Sequence, residues 1–420
     1  MNSIDSTASI IGAPVRTRNL NFMLVCVFID MLGVGMVMPS LPIFVGELTG
    51  SRAMQAYWFG SLVMVFGVVQ FLFSPILGGL SDRFGRRPVL LCCMLGMALN
   101  FSVTASATSL ATLFVGRVIG GLSSANMSVA SAYAADISAP EQRAKSFGRI
   151  GAAFSVGFIV GPMLGGLLGG RSLQLPMYVA ASLCVVNAIY GYLFVAESLS
   201  EERRKPFSLA KANAFSSLGR LATRPATRGL FVAFALLVFA QLMSQTAFVL
   251  YTNFRYGWTP QQVGVALFFV GLGSVVMQAF LLERLLKRLG EARLTLIGLA
   301  SGGITFLIYG IATEGWMIYV AIILNIMSFA TSPALQSIVS KANSGEGQGT
   351  LMGGLQSVRS LAVVVSPLLG SAVLAAGSTL PPGDWRMGTV FILCAMMQLV
   401  GILLLWRYFR RTRKTDVGTL

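Results

Sequence analysis

The sequence predicts an all-α integral membrane protein with twelve transmembrane helices in two pseudo-symmetric six-helix bundles. Three observations carry that expectation. The 420-residue chain is 55% hydrophobic and only 11% charged, less than half the roughly 25% of a soluble domain, so it cannot cover a surface in water. Twelve apolar windows reach the ~19 residues that a bilayer core of about 30 Å demands of a helix. Landmarks also recur at one offset of 205 residues, the sign of a duplicated unit.

The windows fall near 21–45, 57–80, 88–108, 110–135, 147–170, 175–196, 229–253, 261–282, 293–312, 315–338, 350–376 and 387–407. The first eighteen residues are polar, with Arg16 and Arg18 just before the first window. That apolar run is too long for a signal-peptide core and lacks a small-residue cleavage site, so it reads as an uncleaved span. The only long connection, 197–228, carries Glu201, Glu202, Arg203, Arg204 and Lys205 and then a mildly amphipathic stretch over 207–221, suited to lying on a membrane face. It divides the chain into an N-terminal tail (1–20), a first bundle (21–196), the linker (197–228), a second bundle (229–407) and a tail (408–420).

Charge sets the orientation. Of 31 Lys and Arg, 25 fall in the loops and tails of one side. The opposite loops hold four, Arg52, Arg171, Arg255 and Arg386, while Arg117 and Arg359 lie inside spans. Lys and Arg resist translocation, so both termini are expected in the cytoplasm, in a bacterial inner membrane. The net charge of +16 is then a topology signal, surrounded by membrane lipid, and calls for no nucleic acid. The chain has no histidine, which removes His-based metal sites and Ser-His-Asp chemistry. The five cysteines lie in apolar runs without metal-type spacing. With no paired carboxylates and no nucleotide-binding loop either, neither an intramembrane enzyme nor a self-contained ATP-driven pump is expected.

The repeat joins the halves. Gly85 and Gly290, Glu141 and Glu346, Gly148 and Gly353, Pro162 and Pro367, and Gly165 and Gly370 are each 205 residues apart. Two similar bundles facing a cavity near the bilayer midplane suit a rocking, alternating-access transporter.

Several runs carry a family resemblance. Gly78-Gly79-Leu80-Ser81-Asp82-Arg83-Phe84-Gly85-Arg86-Arg87 resembles the signature loop between helices 2 and 3 of the major facilitator superfamily. Gly157-Phe158-Ile159-Val160-Gly161-Pro162-Met163-Leu164-Gly165-Gly166 resembles the helix-5 motif of its antiporters. Within the superfamily the chain is most similar to the twelve-helix drug–proton antiporters of the tetracycline-efflux type. Asp30-Met31-Leu32-Gly33-Val34-Gly35-Met36-Val37-Met38-Pro39-Ser40-Leu41-Pro42 matches their first helix, and Arg255-Tyr256-Gly257-Trp258 and Glu314-Gly315-Trp316 match two outer loops. The resemblance implies a functional monomer that exchanges protons for a small molecule and needs no cofactor beyond the proton gradient.

Three ionisable side chains lie inside the spans: Asp30, Arg117 and Arg359. A charge there costs at least about 2.5–3.5 kcal/mol on insertion scales, so each marks a functional candidate. Asp30 lies about ten residues into helix 1, roughly 15 Å at 1.5 Å per residue, near the midplane. It either carries the proton or serves as a structural acceptor for helix 4 or 5. The resemblance implies a coupling role for Arg117, holding or releasing a carboxylate; a static ion pair is the alternative. Arg359 either meets an anionic part of the substrate or bonds helix-end carbonyls at a gate.

Asp82, Arg83, Arg86 and Arg87, with Gly78, Gly85 and Asp136, form the gating loop implied by the resemblance, with Asp82 able to cap a neighbouring helix N-terminus. Gly157, Gly161, Pro162, Gly165 and Gly166 allow helix 5 to approach a neighbour closely and bend. Uncharged cavity candidates are Gln70, Asn100, Asn126, Gln241, Gln245, Gln278, Asn325 and, with its charge, Arg359; each is also suited to gluing helices together. Asn100, Ser274 and Gly302 stand where the tetracycline pumps have an aspartate, a histidine and an aspartate. Those departures point from a metal–tetracycline chelate toward a broader range of amphipathic compounds. Export of a secreted metabolite such as a siderophore, or solute import on the same fold, are the alternatives.

Overall fold

The computed structural model describes residues 12–124, 126–139, 142–204, 228–341, 348–381 and 384–417. Among them every regular element is helical. In chain order the α-helices are α1 (Gly12–Val37), α2 (Leu41–Glu47), α3 (Arg52–Phe84), α4 (Arg86–Ala105), α5 (Leu110–Leu122), α6 (Asn126–Ile137), α7 (Arg143–Gly169) and α8 (Leu175–Phe194). They continue as α9 (Arg228–Tyr256), α10 (Pro260–Val275), α11 (Leu282–Ile311), α12 (Gly315–Leu324), α13 (Thr331–Lys341), α14 (Gln348–Gly377) and α15 (Thr389–Val417). The amphipathic stretch expected over 207–221 lies outside the described residues.

Ten helical stretches among the described residues are long and apolar enough to cross a bilayer. One of them, Pro260–Ile311, is 52 residues long and turns at Gly290, so it accounts for two crossings. The pair α5 and α6, 13 and 12 residues, are too short singly and together make the fourth expected span. Counted in this way, the described helices are consistent with the expected twelve crossings. The expected continuous helix over 110–135 is not: it is broken after Leu122, and a new helix opens at Asn126. Neither proline nor glycine lies between them, so hydropathy passes over the break.

The corresponding span of the second half is interrupted as well. A 3-10 segment, Asn325–Ala330, separates α12 from α13. At the 205-residue offset the two interruptions coincide: Asn126 corresponds to Thr331, the first residues of α6 and α13. A further irregularity, a π-helical turn at Val276–Leu281, joins α10 to α11.

Packing divides the chain into two units: Met1–Leu41 with Val68–Asn213, and Pro42–Gly67 with Ala214–Leu420. The first has a core of Met23, Cys26, Val27, Leu90, Cys93, Met94, Val129, Ala130 and Tyr133. The second is built around Leu230, Ala233, Phe234, Leu299, Leu335, Val339, Ala362 and Leu405.

Within the first unit α7 lies against α1 with no room for side chains between them. A Cβ on Gly157 would fall 2.5 Å from the Phe28 carbonyl oxygen, and one on Gly161 2.8 Å from that of Leu32. A Cβ on Gly165 would strike the carbonyl of Met36. The helix-5 glycine motif, with Pro162 and Gly166 both buried, is thus the face on which α1 rests.

Candidate functional site

Asp30 is 4% exposed, in the last third of α1 and in the segment that Gly157 and Gly161 brace. The carboxamide of Asn126, the first residue of α6, donates from Nδ2 to Asp30 Oδ1 at 2.8 Å. Asn126 is itself 6% exposed, and its Oδ1 has no hydrogen-bond partner. Gln70 reaches the same break from α3, donating from Nε2 to the Ser124 carbonyl at 3.5 Å, one of the carbonyls that a helix end leaves without an intrahelical partner. Asp30, Asn126 and Gln70 therefore converge on one irregular point of the backbone. Asp30 is the only acidic side chain among the described residues that is fully buried.

Arg117 lies on α5, before the break. Its Nη2 donates to Asn100 Oδ1 and to Thr104 Oγ1, both at 3.2 Å on α4. Gly116 and Gly120 bring the helices close enough for this: a Cβ on Gly120 would lie 2.9 Å from the Asn100 carboxamide carbon. Asn100 is thus an arginine ligand with no exposure.

In the second unit, Gln241 and Gln245 are exposed one turn apart on α9. Gln278 is exposed in the π-helical turn and donates to Ser274 Oγ at 2.7 Å. Asn325 opens the 3-10 segment and accepts from Ser328 Oγ at 2.7 Å. Arg359 is exposed on α14 and has no ion-pair partner among the described residues.

At the basic-residue-rich end of the first unit, Arg86 is a hub. Its guanidinium meets Asp82 Oδ1 at 2.6 Å, Asp136 Oδ2 at 3.0 Å and Ser81 Oγ at 2.7 Å. Asp136, in the last turn of α6, also accepts from Ser198 Oγ at 3.3 Å. The neighbouring Arg87 donates to the Tyr192 carbonyl and lies 5.2 Å over the Tyr192 ring, while Arg83 stacks on Phe84 at 5.1 Å. Gly78 has open space where a Cβ would stand.

Glu197, not singled out from the sequence, completes this corner. Its carboxylate accepts from the backbone N–H of Arg86 at 2.9 Å and of Arg87 at 3.1 Å, the first turn of α4, and from those of Ser198 and Leu199. An anion there complements the positive end of the helix. Gly85 precedes α4 with φ +103°, and a Cβ on it would strike Glu197 Oε2. The one sequence signal for Glu197 is an acid placed directly after an apolar span, and its partner is more than a hundred residues away.

The second unit repeats the corner with its charges exchanged. Gly290, the repeat partner of Gly85, has φ +74°. The next residue, Glu291, accepts from Lys341 Nζ at 2.7 Å and from Ser337 Oγ at 2.7 Å. Lys341 ends α13 and corresponds in the repeat to Asp136.

The profile of the Major Facilitator Superfamily matches residues 23–362 and 255–419. The chain belongs to that superfamily. Among its major facilitator relatives, the class C tetracycline resistance protein of Escherichia coli is 34% identical over 374 residues, covering 89% of this chain and 93% of that protein. Multidrug resistance protein 2 of Bacillus subtilis is 27% identical over 401 residues, 94% of this chain and 95% of that one. The crystal structure of the human organic anion transporter MFSD10 superposes with a TM-score of 0.64 at 26% identity, covering 93% of this chain and 99% of that one. The chain is accordingly a multi-pass membrane transporter of the major facilitator fold, in the tetracycline-efflux branch.

Proposed function

We propose that this transporter is a proton-coupled exporter of small amphipathic organic compounds, working by alternating access in a bacterial inner membrane with both termini in the cytoplasm. The observation that carries this reading is Asp30, a buried carboxylate at the point where helix 4 breaks. A proton entering from outside binds the carboxylate and removes a charge that is costly inside a membrane protein. Its release toward the cytoplasm restores the charge, and the solute leaves in the opposite half of the cycle. Arg117 keeps a positive charge on the outer piece of the same helix, held by Asn100 and Thr104. The relatives named for tetracycline and multidrug resistance support export of drug-like compounds. In this reading the chain acts as a monomer and draws on no cofactor.

The test is gradient-driven efflux from inverted vesicles. Asp30→Asn abolishes accumulation driven by a pH gradient and leaves substrate binding in place. Undiminished accumulation in that variant would remove the coupling assignment, and net uptake by cells in place of efflux would reverse the direction.

A second reading is favoured by one observation. Arg359 is exposed on α14 without an ion-pair partner among the described residues, and the human neighbour is an organic anion transporter. An anionic substrate, such as an exported carboxylate-bearing siderophore, would use that charge. Arg359→Gln would then weaken transport of anionic compounds and spare cationic ones.

A further inference from the structure

Helix 4 is two helices, and its second piece has an ionisable contact at each end. At the head of α6, Asn126 donates to Asp30 at 2.8 Å. At its tail, ten residues and about 15 Å further along at 1.5 Å per residue, Asp136 holds Arg86 at 3.0 Å and Ser198 at 3.3 Å. Between them Val129, Ala130, Tyr133 and Ala134 are buried in the first unit's core, so the piece is a stiff, packed rod with a break at its head. We infer that α6 is the element through which the protonation state of Asp30 reaches the Arg86 latch, with Asn126 as its positioning residue. This rests on the reading of Asp30 as the proton-binding group.

The second unit supplies the internal comparison. There too a short helix, α13, begins after an interruption and ends in an ion pair with the residue after the loop glycine. Its head is different. Thr331 stands in the place of Asn126, with its hydroxyl unpartnered and no exposure, and Ala235 stands in the place of Asp30. The broken helix and its latch are common to both repeats, but only in the first does the head of the rod touch an acid.

The physical link is the strength of one hydrogen bond. A carboxamide N–H donating to a carboxylate makes a charge-assisted bond, roughly twice as strong as the bond to the neutral acid. Protonation of Asp30 loosens the head of α6, while further along Tyr133 Oη still donates to the Ala196 carbonyl at 2.8 Å and Asp136 keeps its contacts at the tail. The groups around Asp30 leave Asn126 in that position: Cys26 on α1 and Cys184 on α8 are buried thiols, and α6 carries Tyr133 and Asp136 beyond Asn126. The basic residues of α7, Arg143, Lys145 and Arg149, all lie in its first two turns, away from the Gly157–Gly161 segment that braces Asp30.

The test is amide hydrogen exchange across α6 at fixed pH, on the full-length protein in lipid nanodiscs, beside vesicle efflux. Asp30→Asn mimics the neutral acid, and both it and Asn126→Ala should raise exchange in the last turn of α6 by about tenfold, the scale of one lost hydrogen bond to a charged group. The double variant should add nothing further. Asn126→Ala should also shift the midpoint of the efflux pH profile, and Asn126→Gln, which keeps the donor, should restore part of that shift. If Asp30→Asn loses gradient-driven efflux while exchange at the end of α6 stays at the wild-type level, the rod is overturned and the proton-carrier reading survives. If Asp30→Asn keeps full gradient-driven efflux, the proton-carrier reading fails and the rod with it. A uniform rise over α1, α7 and α8 in Asn126→Ala would show mere loosening and also count against it. The Asp30→Asn exchange profile decides the matter if Asn126→Ala does not fold.

Discussion

Arg86 and Glu291 occupy the same place in the repeat, one residue past a glycine of positive φ, and carry opposite charges. Each holds the last turn of the short helix beside it, through Asp136 in one half and Lys341 in the other. The two corners share a backbone and differ in polarity, so an ion pair at this point has been kept while its sign has not.

Their burial differs, and so should their weight. The side chains of Arg86 and Asp136 are 11% and 22% exposed, whereas those of Lys341 and Glu291 are 70% and 25% exposed. Breaking the first pair by Arg86→Ala strands Asp136 and should cost about 2–3 kcal/mol, below the full penalty of a buried pair. Glu291→Gln should cost under about 1 kcal/mol, as for a solvated pair. Apparent melting temperatures in detergent check the ranking; equal losses would contradict it.

The polarity of the second corner should be exchangeable. Glu291→Lys alone puts two ammonium groups together and lowers efflux, and the double change with Lys341→Glu restores it to within about twofold, since it again sets opposite charges at the same two positions. Efflux rates of the three variants at equal membrane abundance provide the measurement.

Gly85 and Glu197 should be strongly coupled. Gly85→Ala places a Cβ at φ +103°, ψ +157°, a conformation essentially confined to glycine, and against the Glu197 carboxylate, so it costs about 1–3 kcal/mol for the backbone plus the displacement of that acid. Glu197→Ala leaves backbone N–H groups of α4 without their acceptor, at about 1–3 kcal/mol. With the carboxylate already gone, the added cost of Gly85→Ala falls to the backbone share alone. A double-mutant cycle on thermal stability measures the difference, and strict additivity would be the wrong result.

The glycines of α7 should sort by what lies opposite them. Gly165→Ala collides with the Met36 carbonyl, a backbone atom that cannot turn away, and should abolish transport or folding. Gly151→Ala faces open space in the same helix and should be neutral or stabilising by up to about 1 kcal/mol from helix propensity. Expression and efflux of the two variants side by side settle it.

The pH dependence of the Glu291 corner has a defined sign. Desolvation raises the Glu291 carboxyl, but the bonds from Lys341 and Ser337 outweigh it and hold the group below the usual carboxylate range. A depressed folded value means that its contribution is complete above the unfolded carboxylate value of about 4.3 and is lost as pH falls through the folded one. Between pH 6 and 8, roughly, the corner should therefore be insensitive to pH, so Glu291→Gln should leave the efflux pH profile in place while Asp30→Asn flattens it.

Much of the architecture was legible because bilayer insertion is a composition problem. Leu, Val, Phe and Gly in runs of membrane length, Lys and Arg gathered in the loops of one side, and landmarks 205 residues apart all survive without any knowledge of contacts. Asp30 and Arg117 stood out for the same reason, as charges where charge is expensive. The break in helix 4 was not legible, because Ser123, Ser124 and Ala125 are compatible with a helix and an average over about 19 residues smooths three of them away.

The sequence by itself determined that this is a membrane transporter of two repeated bundles, with one acid inside the first and a glycine-bearing loop beside each. Only the tertiary structure decided the partners. It gave Asp30 to Asn126, Arg117 to Asn100 and Thr104, and the first turn of α4 to Glu197. The physical reason is that hydropathy and charge are properties a residue carries alone, whereas a hydrogen bond between residues 96 apart depends on where the packed helices place both ends.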